Sequence, residues 1–237
     1  LVTLLAKKDQ QGRFFGILEG GRGLVEAFLA TVAVAIFAYV LSQESSSITL
    51  ALKQVIYLYI GVLLVIAPLA YWLLDDLETE PGETVERDKS SFRNDLRAVL
   101  KRREIWLCAI CIACGYQLFY ATYSFSAYLQ QHFGLTAVMV GTITVAKLWM
   151  RPIGGIAAGF IGDWVSPEKV LSILLASASI ALAMMAFLPA SAATLIMLAV
   201  VLLIGLLTYA VRGLYWATLG SCDVPNNIKG LAIGTIS

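Results

Sequence analysis

Charge and histidine are both scarce in this chain. Of its 237 residues, 14% are charged and one is a histidine, whereas 59% belong to the hydrophobic set. The mean hydropathy is +0.80, which lies far above the range of soluble domains. So few charges exclude an ordinary soluble domain and predict an integral membrane protein. The net charge of +1 offers nothing to a nucleic acid, and we expect no such partner.

Residue groups that perform catalysis or hold metals are missing as well. No His/Asp/Ser cluster falls at membrane depth, and no glycine loop with a lysine is present to cradle nucleotide phosphates. Cys108, Cys111 and Cys114 are spaced as in an iron–sulfur sequence, but they lack a fourth ligand and are interpreted as buried thiols. His132 is predicted at the outer end of a helix. We therefore expect no enzyme, no metal and no cofactor.

Long apolar runs predict an all-α, polytopic transmembrane bundle. A bilayer core of ~30 Å needs about 20 apolar residues per helix, and runs this uniformly apolar lack the alternation of a barrel strand. Six full spans are predicted at residues 24–41, 54–74, 105–128, 138–161, 170–188 and 194–216. The first helix is expected to begin near Phe14, and the fourth span is interrupted by charge. Residues 1–6 and 231–237 are interpreted as partial spans of a fragment.

Lysine and arginine residues in the loops define the orientation. By the positive-inside rule, the side that carries nearly all of them is cytoplasmic, and Lys53 alone lies opposite. The cytoplasmic set is Lys7, Lys8, Arg13, Arg87, Lys89, Arg93, Arg97, Lys101, Arg102, Arg103, Lys169 and Lys229. Loops 75–104, 163–169 and 223–229 are therefore predicted to be cytoplasmic.

The longest cytoplasmic segment divides the chain into two bundles. Residues 75–104 are predicted to link an N-terminal bundle, 1–74, to a C-terminal bundle, 105–237. Within the linker, residues 91–104 have the pattern of an amphipathic helix at the membrane interface. A solvated helix that only reverses the chain explains the same pattern.

Glycines four residues apart suggest an internal repeat. Gly12 and Gly16 follow a polar run in "DQQGRFFGI", and Gly230 and Gly234 follow another in "PNNIKGLAIGTI". Both copies open a helix on the cytoplasmic side, as a duplication with parallel halves requires.

"GFIGDWVSPEKV", residues 159–170, resembles the cytoplasmic motif of the major facilitator superfamily, whose pattern is roughly G-x-x-x-D-(R/K)-x-G-(R/K)-(R/K). Gly159 and Asp163 match it, and Lys169 is a basic partner, whereas Trp164 and Pro167 depart from it. "KGLAIG", residues 229–234, is similar to the family's glycine motif after the tenth helix.

The resemblance implies an incomplete major facilitator fold, running from the end of the fourth helix to the start of the eleventh. It implies a monomeric secondary transporter in a bacterial inner membrane that works by alternating access. "EGGRG" and "RGLYWA", residues 19–23 and 212–217, are similar to a bacterial branch associated with nitrate, nitrite or organic anions. In the family, Asp163 would hold a neighbouring helix and gate the cytoplasmic side.

Charges inside the membrane are confined to segments that line the central cavity in this family. They are Glu19, Arg22, Glu26, Lys147, Arg151 and Arg212. Arg151 and Arg212 each lie roughly 17 Å from the cytoplasmic boundary at 1.5 Å per residue, near the midplane. We predict that they clamp a small anion, with Lys147, Tyr120 and Tyr209 as further substrate contacts. Alternatively, Arg151 pairs with backbone carbonyls or with an acid on a helix outside this chain.

Two further patterns concern the same helices. Glu19, Arg22 and Glu26 lie on one helix face, either as a proton-coupling site or as a structural ion-pair ladder. Pro152 is predicted to kink its helix, and glycines at 154, 155, 159 and 162 are predicted to allow close helix approach.

Tyrosines 116, 120 and 123 form a stripe that lines the cavity or packs between helices. The function predicted from these features is anion transport, with protons as a possible coupling ion. A transporter-like receptor that only senses the anion is the alternative.

Overall fold

The computed structural model describes residues 10–43, 47–75, 96–97 and 99–221, and these residues contain helices and no strands. The helices are α1 (Gln11–Leu41), α2 (Ile48–Asp75), α3 (Arg103–Ala121), α4 (Phe125–Phe133), α5 (Ala137–Leu148), α6 (Met150–Trp164), α7 (Pro167–Ala186) and α8 (Thr194–Ser221). A 3-10 turn, Thr122–Ser124, joins α3 to α4. The predicted all-α fold is confirmed. The repeat at Gly230, the loop 223–229 and most of the linker lie outside the described residues.

The fourth predicted span is not one helix. Within the described ranges, five helical segments are long and apolar enough to cross a membrane. Residues 138–161 are not among them because that span divides at Trp149 into α5 and α6. Pro152 has no N–H to donate to the carbonyl of Leu148, so regular helical hydrogen bonding is interrupted there. The predicted kink at Pro152 thus corresponds to a break at Trp149, two residues before Arg151.

Helix ends differ from the predicted spans in ways that local chemistry explains. The helix expected near Phe14 begins at Gln11, and the third span continues through the 3-10 turn to Phe133. Ser166 caps α7 by accepting the N–H of Lys169, and Pro167 occupies the first turn, where proline is favoured. Pro167, which stands near the family's usual glycine, thus lies at a position that starts a helix.

Helix α6 lies between α1 and α8, and small residues make both contacts possible. A Cβ atom built on Gly16 of α1 would lie 2.6 Å from the carbonyl oxygen of Gly155. On the other side of α6, a Cβ atom on Gly154 would lie 2.6 Å from the carbonyl oxygen of Leu206 in α8. Backbone therefore touches backbone on both sides, as predicted from the glycine spacing.

Helices α2 and α7 form the outer layer of the described bundle. α2 packs against α1 and leaves most of its large apolar side chains exposed, including Leu63 and Leu64. α7 packs against α8 and α6, with Ile173 and Ile180 exposed. Exposed apolar faces of this extent suit contact with lipid. Apolar clusters beside α8 fill the interior at both ends.

The contact between α1 and α6 generates a stability prediction. Gly16→Ala should force the two helices apart and lower the free energy of unfolding of the full-length protein by about 1–3 kcal/mol, since backbone cannot yield as a side chain does. Gly21→Ala is the matched control, because nothing lies within 4 Å of a Cβ atom there. Thermal unfolding in detergent measures the difference, and equal melting temperatures for the two variants would contradict the close contact.

Candidate functional site

Arg151, in the first turn of α6, is buried and holds two carboxylates of α1. It is 3% exposed. Its Nε donates a hydrogen bond of 2.9 Å to Glu19 Oε1, and its Nη2 lies 2.8 Å from the same oxygen. Its Nη1 donates to Glu26 Oε2. One guanidinium thus bridges two carboxylates seven residues apart on the facing helix.

Arg22 does not occupy the place between Glu19 and Glu26 that the ladder interpretation gave it. Its side chain is exposed, and no ion pair joins it to another described residue. Gly23 explains the difference, because a Cβ atom there would lie 2.5 Å from Arg151 Cγ. The absence of a side chain at Gly23 lets the stem of Arg151 pass along α1. The alternative interpretation paired Arg151 with backbone carbonyls or with an acid outside this chain, whereas the acids that pair with it, Glu19 and Glu26, lie within the chain.

Arg212 approaches the same carboxylate from α8. Its Nε lies 3.1 Å from Glu19 Oε1, and its guanidinium lies over the ring of Phe119 at 4.3 Å from the centroid. No hydrogen bond or ion pair from a described residue engages its two terminal nitrogens. Its side chain is 12% exposed, whereas that of Arg151 is 4% exposed. Arg212 therefore keeps donors available for an anion, while the nitrogens of Arg151 are occupied.

Lys147 is buried apart from this cluster. Its Nζ donates to the carbonyl of Thr122 at 3.5 Å and lies 5.6 Å from the ring centroid of Phe125. No carboxylate of the described chain pairs with it. This contact joins the 3-10 turn after α3 to the C-terminal end of α5, where the chain passes into α6. Although Lys147 precedes Arg151 by one helical turn, their charged groups contact different helices.

The two predicted tyrosine contacts have different environments. Tyr209 is 2% exposed, and its ring lies 5.6 Å from the Arg151 guanidinium and 6.4 Å from the Phe119 ring. The Tyr209 ring therefore packs against the Arg151 guanidinium, and almost none of the Tyr209 side chain is accessible to a ligand. Tyr120 is exposed beside Phe119. Phe119, which the sequence reasoning missed, separates the two tyrosines.

The motif at residues 159–170 contacts the beginning of α1. Asp163 Oδ1 accepts the N–H of Gly12 at 2.8 Å, and Oδ2 accepts the N–H of Arg13 at 2.9 Å. The Arg13 Nε lies 3.4 Å from Oδ2. A carboxylate at this position satisfies N–H groups that a helix start leaves without partners and complements the helix dipole. Gly159 allows the approach by lying against Gly12.

Lys169, predicted to be the basic partner of Asp163, has an exposed side chain and no ion pair with another described residue. Arg13 takes that role because Asp163 points toward α1 and away from the α6–α7 loop. Arg13 lies 150 residues from Asp163 along the chain. Its role as the basic partner of Asp163 is therefore visible only in the folded structure.

The cysteines and the histidine are placed away from the charged cluster. Cys108 is buried, Cys111 is half-buried and Cys114 is exposed, so the prediction of buried thiols holds fully for Cys108 alone. Within the described part of the chain, no group of three His, Cys, Asp or Glu side chains could hold a metal ion. His132 lies in the last turn of α4, as predicted, with Nε2 3.1 Å from the carbonyl oxygen of Leu188.

Comparison with known proteins places this arrangement in a family. The chain is 27% identical over 237 residues to the inner membrane protein YihN of Escherichia coli and 29% identical over 242 residues to the inner membrane protein YqcE of the same organism. These alignments cover 98% and 99% of the chain but 55% and 56% of the relatives, so the chain spans about half their length. No solved structure matches significantly. The family model of the Major Facilitator Superfamily matches residues 1–237, and the chain therefore belongs to this superfamily.

Proposed function

We propose that the chain is part of a secondary transporter that moves a small organic or inorganic anion together with a proton across a bacterial inner membrane. The observation that carries the proposal is the cluster of Glu19, Arg151 and Arg212, with Glu26 beside it, in which Arg212 keeps free donors. Family membership supports transport by alternating access. The names of the two relatives support the inner membrane location.

The charges of the cluster indicate how an anion and a proton would be coupled. Two arginines and two glutamates sum to zero when all four are ionised. An added anion would leave a net negative charge in a region of low dielectric, which costs free energy. Protonation of one carboxylate gives the cluster a net positive charge that the anion then neutralises. Proton and anion therefore favour each other's binding, as symport requires.

Glu26 is the better proton acceptor of the two carboxylates. Its side chain is 47% exposed and contacts one arginine, whereas that of Glu19 is 9% exposed and contacts two. A proton that binds Glu26 Oε2 breaks the ion pair with Arg151 Nη1. The freed Nη1 then joins the terminal nitrogens of Arg212 as donors to the anion. Glu19 holds both arginines in place.

The contacts between the two proposed bundles support a gating role for the cytoplasmic motif. α1 belongs to the bundle before the linker, and α6 belongs to the bundle after it. Asp163 fastens their cytoplasmic ends together through the N–H groups of Gly12 and Arg13. In the proposed arrangement this seam holds the cytoplasmic side closed, and transport requires that the contact be released.

The first prediction from the proposed function separates the roles of the two arginines. Arg212→Ala should weaken anion binding about thirty- to a thousand-fold, equivalent to about 2–4 kcal/mol, with little change in melting temperature. Arg151→Ala should instead lower folded yield and melting temperature, because it removes two contacts with buried Glu19 and one with Glu26, whereas Arg212 contacts Glu19 through Nε alone. Arg22→Ala, which removes an exposed arginine from α1, is the control. Anion titration and thermal unfolding of the full-length protein measure both effects, and undiminished binding in Arg212→Ala would refute the assignment.

The second prediction concerns the proton. Anion affinity of the native protein should rise as pH falls, because protonation of Glu26 releases Arg151. Glu26→Gln should bind the anion with an affinity independent of pH and should lose stimulation by an inward proton gradient, while substrate exchange continues. Binding in detergent and uptake into proteoliposomes test the two statements. A wild-type pH dependence in Glu26→Gln would show that the proton binds elsewhere, and binding without any uptake by the native protein would favour a receptor.

The third prediction concerns the gate. Asp163→Asn keeps the size of the side chain but removes its charge, and loss of a helix-capping carboxylate is worth about 1 kcal/mol. We expect a several-fold lower transport rate with nearly unchanged substrate affinity. Lys169→Ala should have no effect on either quantity, since Lys169 is exposed. A collapse of affinity at normal turnover in Asp163→Asn would exclude gating.

A further inference from the structure

Two exposed tyrosines lie in the middle of a membrane span. Tyr120 lies in the last turn of α3 and Tyr123 lies in the 3-10 turn, with exposed fractions of 58% and 64%. Both positions fall within about 6 Å of the middle of the span Ile105–Phe133 at 1.5 Å per residue. Tyrosines that anchor helices at the membrane surface lie near the ends of spans. The position of these two requires another explanation.

Contact with lipid would leave both hydroxyl groups without a partner. No described residue lies within hydrogen-bond distance of either hydroxyl group, and a bare hydroxyl in the hydrocarbon core would cost free energy. The exposed side of α2 also carries tyrosines at this depth, Tyr57 and Tyr59, so depth and exposure alone do not identify a ligand surface. Tyr120 and Tyr123 differ from them in what their rings adjoin.

An unbroken aromatic surface joins these tyrosines to the anion site. The Tyr120 and Tyr123 rings lie 5.9 Å apart between centroids, and the Tyr123 ring lies 5.1 Å from that of Phe119. Phe119 in turn lies under the Arg212 guanidinium. Along this surface the chemistry changes from apolar ring faces with free hydroxyls to a cation with free donors. A ligand that matches it has a flat or ring-shaped body attached to an anionic group.

We propose that the transported anion is a ring-bearing organic acid, whose charged group binds Arg212 while its ring stacks on Tyr120 and Tyr123. This inference rests on the proposed function, because it uses the same arginine. Ring faces of both aromatic acids and sugar acids stack on tyrosine, and the tyrosine hydroxyls can also bond to ring hydroxyls. The shared chemistry is therefore a six-membered ring that carries a carboxylate.

The test compares three carboxylates on the full-length carrier in detergent by isothermal titration. Acetate supplies the charge without a ring, benzoate adds an aromatic ring and glucuronate adds a sugar ring. We expect at least one ring-bearing acid to bind about tenfold or more tightly than acetate. Preference for benzoate or for glucuronate distinguishes the two kinds of ring. Equal affinity for all three acids would overturn the inference.

Substitutions of Tyr120 and Tyr123 test whether these residues produce the preference for a ring-bearing acid. Tyr123→Ala and Tyr120→Ala should each reduce the preference for the ring-bearing acid several-fold and leave acetate affinity unchanged, whereas Tyr123→Phe should retain most of it because the ring face remains. Tyr57→Ala is the matched control, since Tyr57 is 60% exposed on α2. A fall in melting temperature without loss of ring preference would overturn the inference and indicate packing against other helices.

Acetate separates failure of this inference from failure of the proposed function. Acetate binding that depends on Arg212, without any gain from a ring, would preserve the anion site and overturn only the ring subsite. If none of the three acids binds, the ring-bearing acid is overturned and an inorganic anion at Arg212 remains to be titrated; if Arg212→Ala binds the acids as the native protein does, both proposals are overturned.

Discussion

The Glu19 carboxylate, shared by two arginines from different helices, is the interaction on which the rest of the arrangement depends. One of its oxygens lies 2.8 Å from Arg151 Nη2 and 3.1 Å from Arg212 Nε. Two guanidinium groups so close together would repel each other strongly in a low dielectric without a carboxylate between them. Glu19 therefore allows two fixed positive charges at one depth of the membrane, and it ties α1 to both α6 and α8.

This charge arrangement depends on how closely the helices approach. A glutamate side chain is short, so Glu19 can reach Arg151 and Arg212 only where α1 lies directly against α6. Gly16 and Gly155 provide that approach, and Gly23 leaves room for the arginine stem. Substitutions that separate the helices would thus disturb the ion pairs without touching a charged residue. Packing and electrostatics at this site are two aspects of one contact.

The sequence predicted the helical fold, the break near Pro152 and the glycine contacts, because each follows from local geometry. The rise per residue of a helix, which is also a local property, predicted that Arg151 and Arg212 lie at a similar depth in the membrane. The partner of Arg151 was not predictable, since spacing along α1 suggested Arg22 for Glu26, whereas the residue that pairs with it lies 125 positions away. Rotation of α1 about its axis decides which side chain faces α6, and no pattern within one helix determines that rotation.

The glycine contact between α1 and α6 also has a mechanical consequence. Interlocked side chains must change rotamers before two helices can slide past each other, but Gly12, Gly16 and Gly159 have no side chains to interlock. The surface between α1 and α6 is therefore smooth at these positions, and polar contacts at Asp163 and Arg151 hold the two helices together at two separate points. While both contacts are formed, the helices keep one relative position. When both are broken, no side chain at these glycines prevents the helices from sliding past each other as rigid bodies.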